Sequence, residues 1–557
     1  MLISPLAGTP DASAQTQISF LGVAASELRD IVVDGSRSGI HSGKLQAYST
    51  GDGASFIPAR GFQAGERVTV HAVLSAAHKT VAVGTSFTIA DIYTLPKESS
   101  GQTQNPPVPT QSFHTRHDLR PPQVIVGTPA STPSLGDILI SPDSGGVQAG
   151  PMIIEPSGAL VWFKPVRSGT EAMDLREQQY LGQAVLTWWQ GEIIGGHGQG
   201  EDVVENTAYQ RIATVRAGNG LYADLHEFQI TPQGTAIITA YEPVYRNLTS
   251  VGGSSHGIVD DSVLQEIDIR TGLVMFEWHA LGHVALNESY ARVPHIPDHV
   301  YDFFHINSIQ QQNNGDLLIG GRNTWAVYLI DAHNGYVLWR LGGKRSTFTM
   351  TPTARFAWQH DAELLPDGTI SLFDNEDSPP EGSSSRAIHM ALDLQHKTAE
   401  LIGSYEHPGT RLLSPSQGNV QLLSDEERFV GWGQAGYVSE FSSTGQLTFD
   451  MHLPPPVNSY RAYRVAWNGQ PTNTPTLVAA PGKQDTVVAY CSWNGAADVS
   501  AWRLLAASDP SALKVVSTTQ RQGFETEILT AGSHLYLRVQ ALGASGQLLA
   551  SSQTVSS

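Results

Sequence analysis

The sequence predicts an all-β protein: a six-bladed β-propeller flanked by N-terminal and C-terminal β-sandwich domains. Three observations carry that expectation. Short runs of β-branched and aromatic residues alternate with turn residues along the 557-residue chain, and no long heptad or strongly periodic helix stands out. Gly (54) and Pro (32) are abundant enough to supply so many turns. Between residues 123 and 468 two kinds of hairpin recur, and their spacing sets the number of repeats.

Residues 1–94 carry β-like runs such as Ile18-Ser19-Phe20-Leu21, Ala54-Ser55-Phe56-Ile57-Pro58 and Arg67-Val68-Thr69-Val70. Most are about ten to fifteen residues apart, the density of a small β-sandwich. Residues 95–122 are polar and broken by Pro106-Pro107-Val108-Pro109 and Pro121-Pro122. That composition predicts a linker over the surface. From 469 to 557, the runs 486–493, 501–505, 524–529 and 535–539 read as strands of an Ig- or fibronectin-like sandwich.

The inner hairpins of the region 123–468 share one plan. Phe304-His305-Ile306-Asn307-Ser308-Ile309 passes through Asn313-Asn314-Gly315-Asp316 to Leu317-Leu318-Ile319-Gly320-Gly321-Arg322. Leu225-His226-Glu227-Phe228 leads through Pro232-Gln233-Gly234 to Tyr241, and Gln359-His360-Asp361-Ala362 through Pro366-Asp367-Gly368 to Asp374. Each is a strand, a Gly turn and a return strand. Outer hairpins end in an aromatic strand, as in Gly272-Leu273-Val274-Met275-Phe276-Glu277-Trp278 and Gly335-Tyr336-Val337-Leu338-Trp339. Gly272 and Gly335 are 63 residues apart, and Gly315 and Gly368 are 53 apart. Two hairpins per period make four strands per unit and about six units in the region.

That arithmetic bears on chemistry. His305 and Arg322 lie equally far from a turn centred between Asn313 and Asn314, so an unbulged pair sets them opposite each other. Two potential cations gain nothing from proximity unless an anion sits between them. One such histidine is ordinarily a satisfied strand-end residue. Three at one repeat position (His226, His305 and His360) converge if the repeats are related by rotation about an axis. In the preceding unit, Trp188-Trp189-Gln190 ends a strand and Gly195-Gly196-His197-Gly198-Gln199-Gly200 follows. This loop is either a wide turn or an approach that brings His197 to the pocket. Trp188, Trp189 and Trp325 are either core residues or walls for an aryl ring.

Composition excludes several classes. A formal net charge of −19 argues against nucleic acid as a partner, because phosphate binding needs a basic face. The single cysteine, Cys491, forbids an intramolecular disulfide and, in an apolar run, is expected to be an inert buried thiol. There is no run of eighteen apolar residues, hence no expected membrane span, and Met1–Gly8 lacks the basic and apolar regions of a signal peptide. The Gly-rich 195–200 segment does not follow a strand-to-helix pattern, which weakens a dinucleotide reading. No cofactor or resident metal is expected.

The hairpins resemble the arylsulfate sulfotransferase family, the arylsulfotransferases independent of a nucleotide sulfate donor. The resemblance rests on Asp302-Phe303-Phe304-His305-Ile306-Asn307-Ser308-Ile309, Gly320-Gly321-Arg322, Trp358-Gln359-His360 with Leu372-Phe373-Asp374-Asn375, Asp224-Leu225-His226-Glu227-Phe228, and Trp188-Trp189-Gln190-Gly191 with Gly196-His197-Gly198. It implies a six-bladed propeller with an axial funnel and a ping-pong transfer of sulfate between phenols through a sulfohistidine. By motif, His360 matches the sulfated nucleophile, His305 and Arg322 hold the sulfuryl oxygens, and His226 is the remaining site histidine. Candidate substrate-binding residues are His197, Asn307, Trp188, Trp189, Tyr241 and Asn375. The acidic run Asp361-Ala362-Glu363 departs from the characterised members. The family favours a secreted or extracellular protein acting on small aryl sulfates and phenols, and leaves the oligomeric state open. Two other readings stand beside it. Axial histidines also suit a metal oxygenase or lyase, although Arg322 opposes a cation. The pocket could equally bind acidic aromatic ligands without catalysis.

Overall fold

Residues 125–465 fold into six sheets, and successive sheets touch through their inner strands, with Asn458–Val465 of the first meeting both the second and the sixth. In the computed structural model all residues are described except 77–78, 97–106, 131–135, 297 and 533–534. The chain is all-β. The second sheet runs Glu171–Tyr180, Gln183–Ile194, His197–Asn206, Arg211–Val215 in simple antiparallel order. The third begins at Phe228–Ile230, the fourth at Ile306–Gln311, the fifth at His360–Leu364 and the sixth at Asn419–Leu422. Two exchanges interlock the ring. Asn458–Val465, late in the chain, pairs with Asp137–Asp143 to complete the first sheet. Ile125–Thr128, early in the chain, pairs with Leu447–His452 to complete the sixth.

The repeats put apolar residues where sheets meet. Leu318, Val327, Leu341, Ile370, Leu372 and Ile388 form one cluster between the fourth and fifth sheets. The turn glycines do what no β-branched residue could: Gly315 (φ 92°) and Gly368 (φ 84°) turn the inner hairpins in the left-handed region. The fourth-sheet hairpin differs from expectation in two compensating ways. Its turn is closed by Gln312 and Asp316, one half-residue later than the symmetric centre. A bulge between Ile306 and Ser308 then restores the register, so that Ile306 pairs with Gly321 and the Arg322 N–H donates to the His305 carbonyl at 3.0 Å.

Beyond the ring, two four-stranded sheets from residues 2–88 share one apolar cluster that includes Phe20, Val33, Phe56, Val70 and Phe87. Two further sheets from residues 476–556 share another around Trp502, Leu504 and Val539. The expected surface linker is corrected in part. Residues 97–106 lie outside the described residues, but 107–123 is a pinned loop: Leu119 is fully buried, Gln111 and Gln123 donate to Pro121 and Pro109, and Thr115 and His114 donate to Glu525. Its hydrogen bonds and the Phe113–Phe524 ring contact, 4.4 Å between centroids, hold it to the C-terminal sheets. Cys491 is buried, and burial raises its thiol pKa well above the ordinary range. Among the described residues, no helix is long and apolar enough to cross a membrane.

The centre of the ring is ionic. Arg461, fully buried on the closing strand, reaches Asp174 of the second sheet (3.3 Å), Glu227 beside the third (3.1 Å), the Asn307 carbonyl of the fourth (3.1 Å) and Asp361 of the fifth (3.4 Å). Arg176 pairs with the same Asp174 and Glu227. The acidic step after His360 therefore belongs to the fold: Asp361 faces Arg461 and also accepts the Val420 N–H. Arg461→Met would leave three buried carboxylates short of a counter-charge. We expect a loss of about 3–5 kcal/mol, read by denaturant unfolding; a variant as stable as the parent would refute the role.

Candidate functional site

The strand starts of the third, fourth and fifth sheets bring histidines to the mouth of the ring, above the ionic centre. His226 and His305 are 4.8 Å apart between ring centroids, His197 and His305 5.3 Å, and His197 and His226 6.2 Å. Tyr460 joins His360 to this group, 5.7 Å from His226 and 6.4 Å from His360. All four histidines are buried or nearly so.

Carboxylates orient the rings. The Nδ1 of His226 lies 2.6 Å from Asp224 Oδ2, and that of His305 2.5 Å from Asp302 Oδ2. Each pairing commits one ring nitrogen and turns the other, Nε2, towards chemistry. Asp302 also lies 3.5 Å from His197 Nε2, and Asp260 lies 3.6 Å from its Nδ1. Burial alone would discharge His197, but the charge of Asp302 beside it, with Asp260 and Asp224, pushes its pKa up to about 9. For His305 burial wins, reinforced by His226 and His197, and the pKa falls to about 4 despite Asp302. At neutral pH the trio therefore holds one imidazolium (His197), one carboxylate (Asp302) and one neutral imidazole (His305).

His360 is set differently. Its Nδ1 donates to Asn375 Oδ1 at 2.7 Å, while Nε2 accepts the Gln417 N–H at 3.1 Å. Burial, then the charge of Arg322, hold its pKa well below the usual histidine range, so the ring is neutral. Its neighbour Gln359 is fully buried and donates to the Gly321 and Ala326 carbonyls, which anchors the ring to the fourth sheet. Arg322 donates to Asn323 Oδ1 and to the Pro415 carbonyl, and among the described residues its Nε has no hydrogen-bond partner. It lies 5.0 Å from the Trp358 ring. Trp325 packs beside Trp358 at 5.2 Å and stacks on Tyr290 at 3.6 Å. His305, Trp325, Trp358 and Asp361 all have φ between 50° and 59°. Bulky residues rarely hold that conformation, and such strain gathers where function fixes geometry.

Several expected site residues sit elsewhere. Trp188 and Trp189 are each 1% exposed and fill two different core clusters on opposite faces of their strand. They are walls of the fold, because alternate positions of a buried strand face alternate cores. Asn307 is fully buried and spends its amide on the Gln359 carbonyl, between two sheets. Asn375 uses its oxygen on His360 and its nitrogen on Ser414 and Gln417, so it positions a histidine and is not free to meet a substrate. Tyr241 stacks on His197 at 3.9 Å and lines a cavity of about 1000 Å³ with Tyr93, Glu192, Leu221, Tyr222 and Glu242. Sequence reasoning gave no role to Asp224 and Asp302, although each stands two or three residues before a site histidine. It missed Tyr460, whose buried hydroxyl has no hydrogen-bond partner among the described residues, and Gln417, because both come from segments without a repeat signature.

Three side chains could hold a metal here: ligand atoms of His197, Asp302 and His305 lie within 4.8 Å of one another. The charge pattern can be tested directly. Imidazole NMR titration should give a midpoint near 9 for His197 and near 4 for His305. The raised His197 value favours folding below pH ~6.5 and that contribution is lost as pH rises through about 9. Asp302→Asn should lower the His197 midpoint by about 1 unit or more; an unchanged midpoint would overturn the assignment.

Comparison with known proteins adds the following. A protein of unknown function from Bacteroides caccae matches with a TM-score of 0.37 at 14% identity, over 59% of this chain and 100% of its own. One from Dyadobacter fermentans DSM 18053 matches with a TM-score of 0.31 at 9% identity, over 66% and 96%. The extracellular domain of a putative one component system from B. thetaiotaomicron matches with a TM-score of 0.30 at 9% identity, over 92% and 83%. Similarities this low carry no argument about function. No curated protein matches the sequence. The family model described as "Arylsulfotransferase (ASST)" matches residues 176–453, which contain every site histidine. The chain belongs to the arylsulfotransferase family.

Proposed function

We propose that the protein moves a sulfuryl group from an aryl sulfate to a phenolic acceptor by a ping-pong route through a sulfohistidine, with no nucleotide sulfate donor. We read the closed ring of six sheets as a six-bladed β-propeller, 123–468, between an N-terminal sandwich, 1–94, and a C-terminal one, 469–557. One observation carries the functional reading. His197, His226 and His305, from different sheets, lie within 6.2 Å of one another between ring centroids, two of them held at Nδ1 by carboxylates, while Tyr460 stands between His226 and His360 and the charge of Arg322 acts on His360.

The roles follow from chemistry. Sulfuryl transfer spreads charge onto the outer oxygens and the leaving oxygen, so fixed donors lower its barrier. Neutral His360 forms the N–S bond through Nε2 as the aryl S–O bond breaks. Asn375 keeps its proton on Nδ1. The attacking lone pair must first leave the Gln417 N–H, which then becomes a donor beside the sulfuryl oxygens. Arg322, with its unpartnered Nε, and protonated His197 supply positive charge. His226, through Nε2–H, gives a proton to the departing phenolate. In the second half the acceptor phenol returns a proton to the same Nε2, its oxygen bonds to sulfur, and the N–S bond breaks, which restores the starting state. The Tyr290–Trp325 stack beside Arg322 walls the aryl ring.

The test is incubation with p-nitrophenyl sulfate, with and without phenol, followed by mass spectrometry of the site peptides. The expected result is an acid-labile sulfo adduct on His360 and release of p-nitrophenol that phenol accelerates. His360→Ala should lower that release by at least about 100-fold. Release at the parent rate, or an adduct on His305 or His226, would remove His360 from this role. Trp325→Ala should raise KM for the aryl sulfate roughly 10-fold with kcat little changed, as loss of uniform binding does. Trp188→Ala should instead destabilise the fold by about 3–5 kcal/mol.

A second reading has its own observation, the His197–Asp302–His305 group with ligand atoms within 4.8 Å. It would make the site a metal centre, with Arg322 repelling the ion from the His360 side. A stoichiometric metal ion lost in His305→Ala, with no sulfo adduct in the parent, would favour it.

A further inference from the structure

We propose that Asp11, Asp261 and His279 bind a first-row divalent cation, zinc or manganese, at the seam between the N-terminal segment and the third sheet. The three come from distant parts of the chain. Asp11 lies between the strands Leu2–Ser4 and Ile18–Leu21, Asp261 is inside Gly257–Ile267, and His279 ends Val274–His279. One ligand atom from each lies within 4.8 Å of the others, and each residue is 1% exposed. His279 Nδ1 is 2.6 Å from Asp261 Oδ2 and 3.7 Å from Asp11 Oδ1. A tetrahedral ion with bonds of about 2.1 Å needs its ligand atoms roughly 3.4 Å apart. Asp11 is already at such a distance, and Asp261 needs to open by less than ~1 Å.

Two details point beyond an ordinary buried salt bridge. First, among the described residues Asp11 Oδ1 has no hydrogen-bond partner although the residue is buried, and the same holds for Oε2 of Glu242, which is 6% exposed and feels the charges of His279, Glu277 and Asp261. Buried carboxylate oxygens are seldom left so. Second, the surroundings are built as support. His279 Nε2 lies 3.0 Å from Glu277 Oε1, and Glu277 Oε2 accepts from Asn219 at 2.8 Å and Gln265 at 2.6 Å. Asp261 Oδ1 accepts the Leu281 N–H at 2.9 Å. A carboxylate behind a ligating imidazole fixes its tautomer so that Nδ1 faces the ion.

Charge agrees. Asp11, Asp261, Glu277 and Glu242 converge, and Arg246, 3.5 Å from Asp11 Oδ2, is the permanent cation among the described residues paired with them. One imidazole with carboxylates suits zinc or manganese better than calcium or magnesium. Glu242 also lines the cavity of about 1000 Å³, together with Asp143, Glu171 and Glu192, so carboxyl oxygens line an entry path. The site is separate from the histidine cluster: Asp260 faces His197, while the next residue, Asp261, faces His279 on the other side of the strand. A bound ion would pin the N-terminal segment to the ring.

The test uses the full chain stripped with EDTA, then titrated with zinc or manganese chloride, reading bound metal by elemental analysis and Tm by scanning calorimetry. The expected result is one ion per chain at this site and a rise in Tm of ~2–4 °C at saturation. Asp11→Asn and His279→Gln should abolish both, with far-UV circular dichroism unchanged. His305→Ala should keep both, which separates this site from a metal in the histidine cluster. No uptake by the parent, or uptake that survives Asp11→Asn but is lost in His305→Ala, would overturn the proposal. Neither outcome depends on sulfuryl transfer.

Discussion

The guanidinium of Arg461 is the contact on which the remaining geometry depends. A ring of sheets buries apolar residues between neighbours, but its axis is where strand starts meet with backbone and side chains left to satisfy. Here five sheets contribute to one charge: Arg461 from the first, Asp174, Glu227, the Asn307 carbonyl and Asp361 from the next four. A planar, always charged group with five donors suits that position as no lysine would. Because Glu227 follows His226 and Asp361 follows His360, the ion cluster also sets where those rings point. The ionic floor and the histidine layer above it are one construction.

That construction reconciles so acidic a chain with the proposed anion-handling site. The carboxylates near the histidines are each paired with an imidazole: Asp224 with His226 and also with the Gly198 N–H, Asp302 with His305 Nδ1 and, at 3.5 Å, with His197. A carboxylate paired with an imidazolium is locally neutralised, and its hydrogen bond fixes the tautomer of the ring it holds. Arg322 and protonated His197 then decide the sign of the field that a ligand meets.

Much of this was legible in the sequence, for reasons that can be named. The Gly turns and the His-to-turn spacing reveal the inner hairpins, because a strand has a fixed period and a tight turn needs a left-handed residue. The repeat arithmetic gives six units, and the described residues of 125–465 form six sheets. The His305–Arg322 juxtaposition follows from the register even though the turn centre and the bulge each differ from the simplest hairpin, since the two shifts cancel. What one strand at a time cannot reveal is what another strand contributes. Arg461, Tyr460 and Gln417 reach the axis from segments with no histidine motif. Trp188 and Trp189 read as either core or pocket walls until the sheet shows that both faces of their strand are buried. Asn375 reads as a ligand-binding amide until its partners, His360, Ser414 and Gln417, account for it.

The departures have the same origin. The acidic run after His360 looks foreign to a site for anions, yet its first carboxylate points away from the mouth to the arginine below. The proline-rich stretch before the ring reads as a free linker, yet its described part is held by Glu525 from the far end of the chain. Local composition speaks to local conformation, while long-range partners decide burial.

The central claim is that the histidine layer surrounds a sulfuryl group. The most direct measurement is a crystal structure of the His360→Ala variant with p-nitrophenyl sulfate bound. The account predicts sulfate oxygens within hydrogen-bond distance, about 2.7–3.2 Å, of Arg322 and at least one of His226 and His305, with the ring against Trp325. Ester bound only in the outer cavity beside Tyr93 and Glu192, with the histidine layer empty, would contradict it.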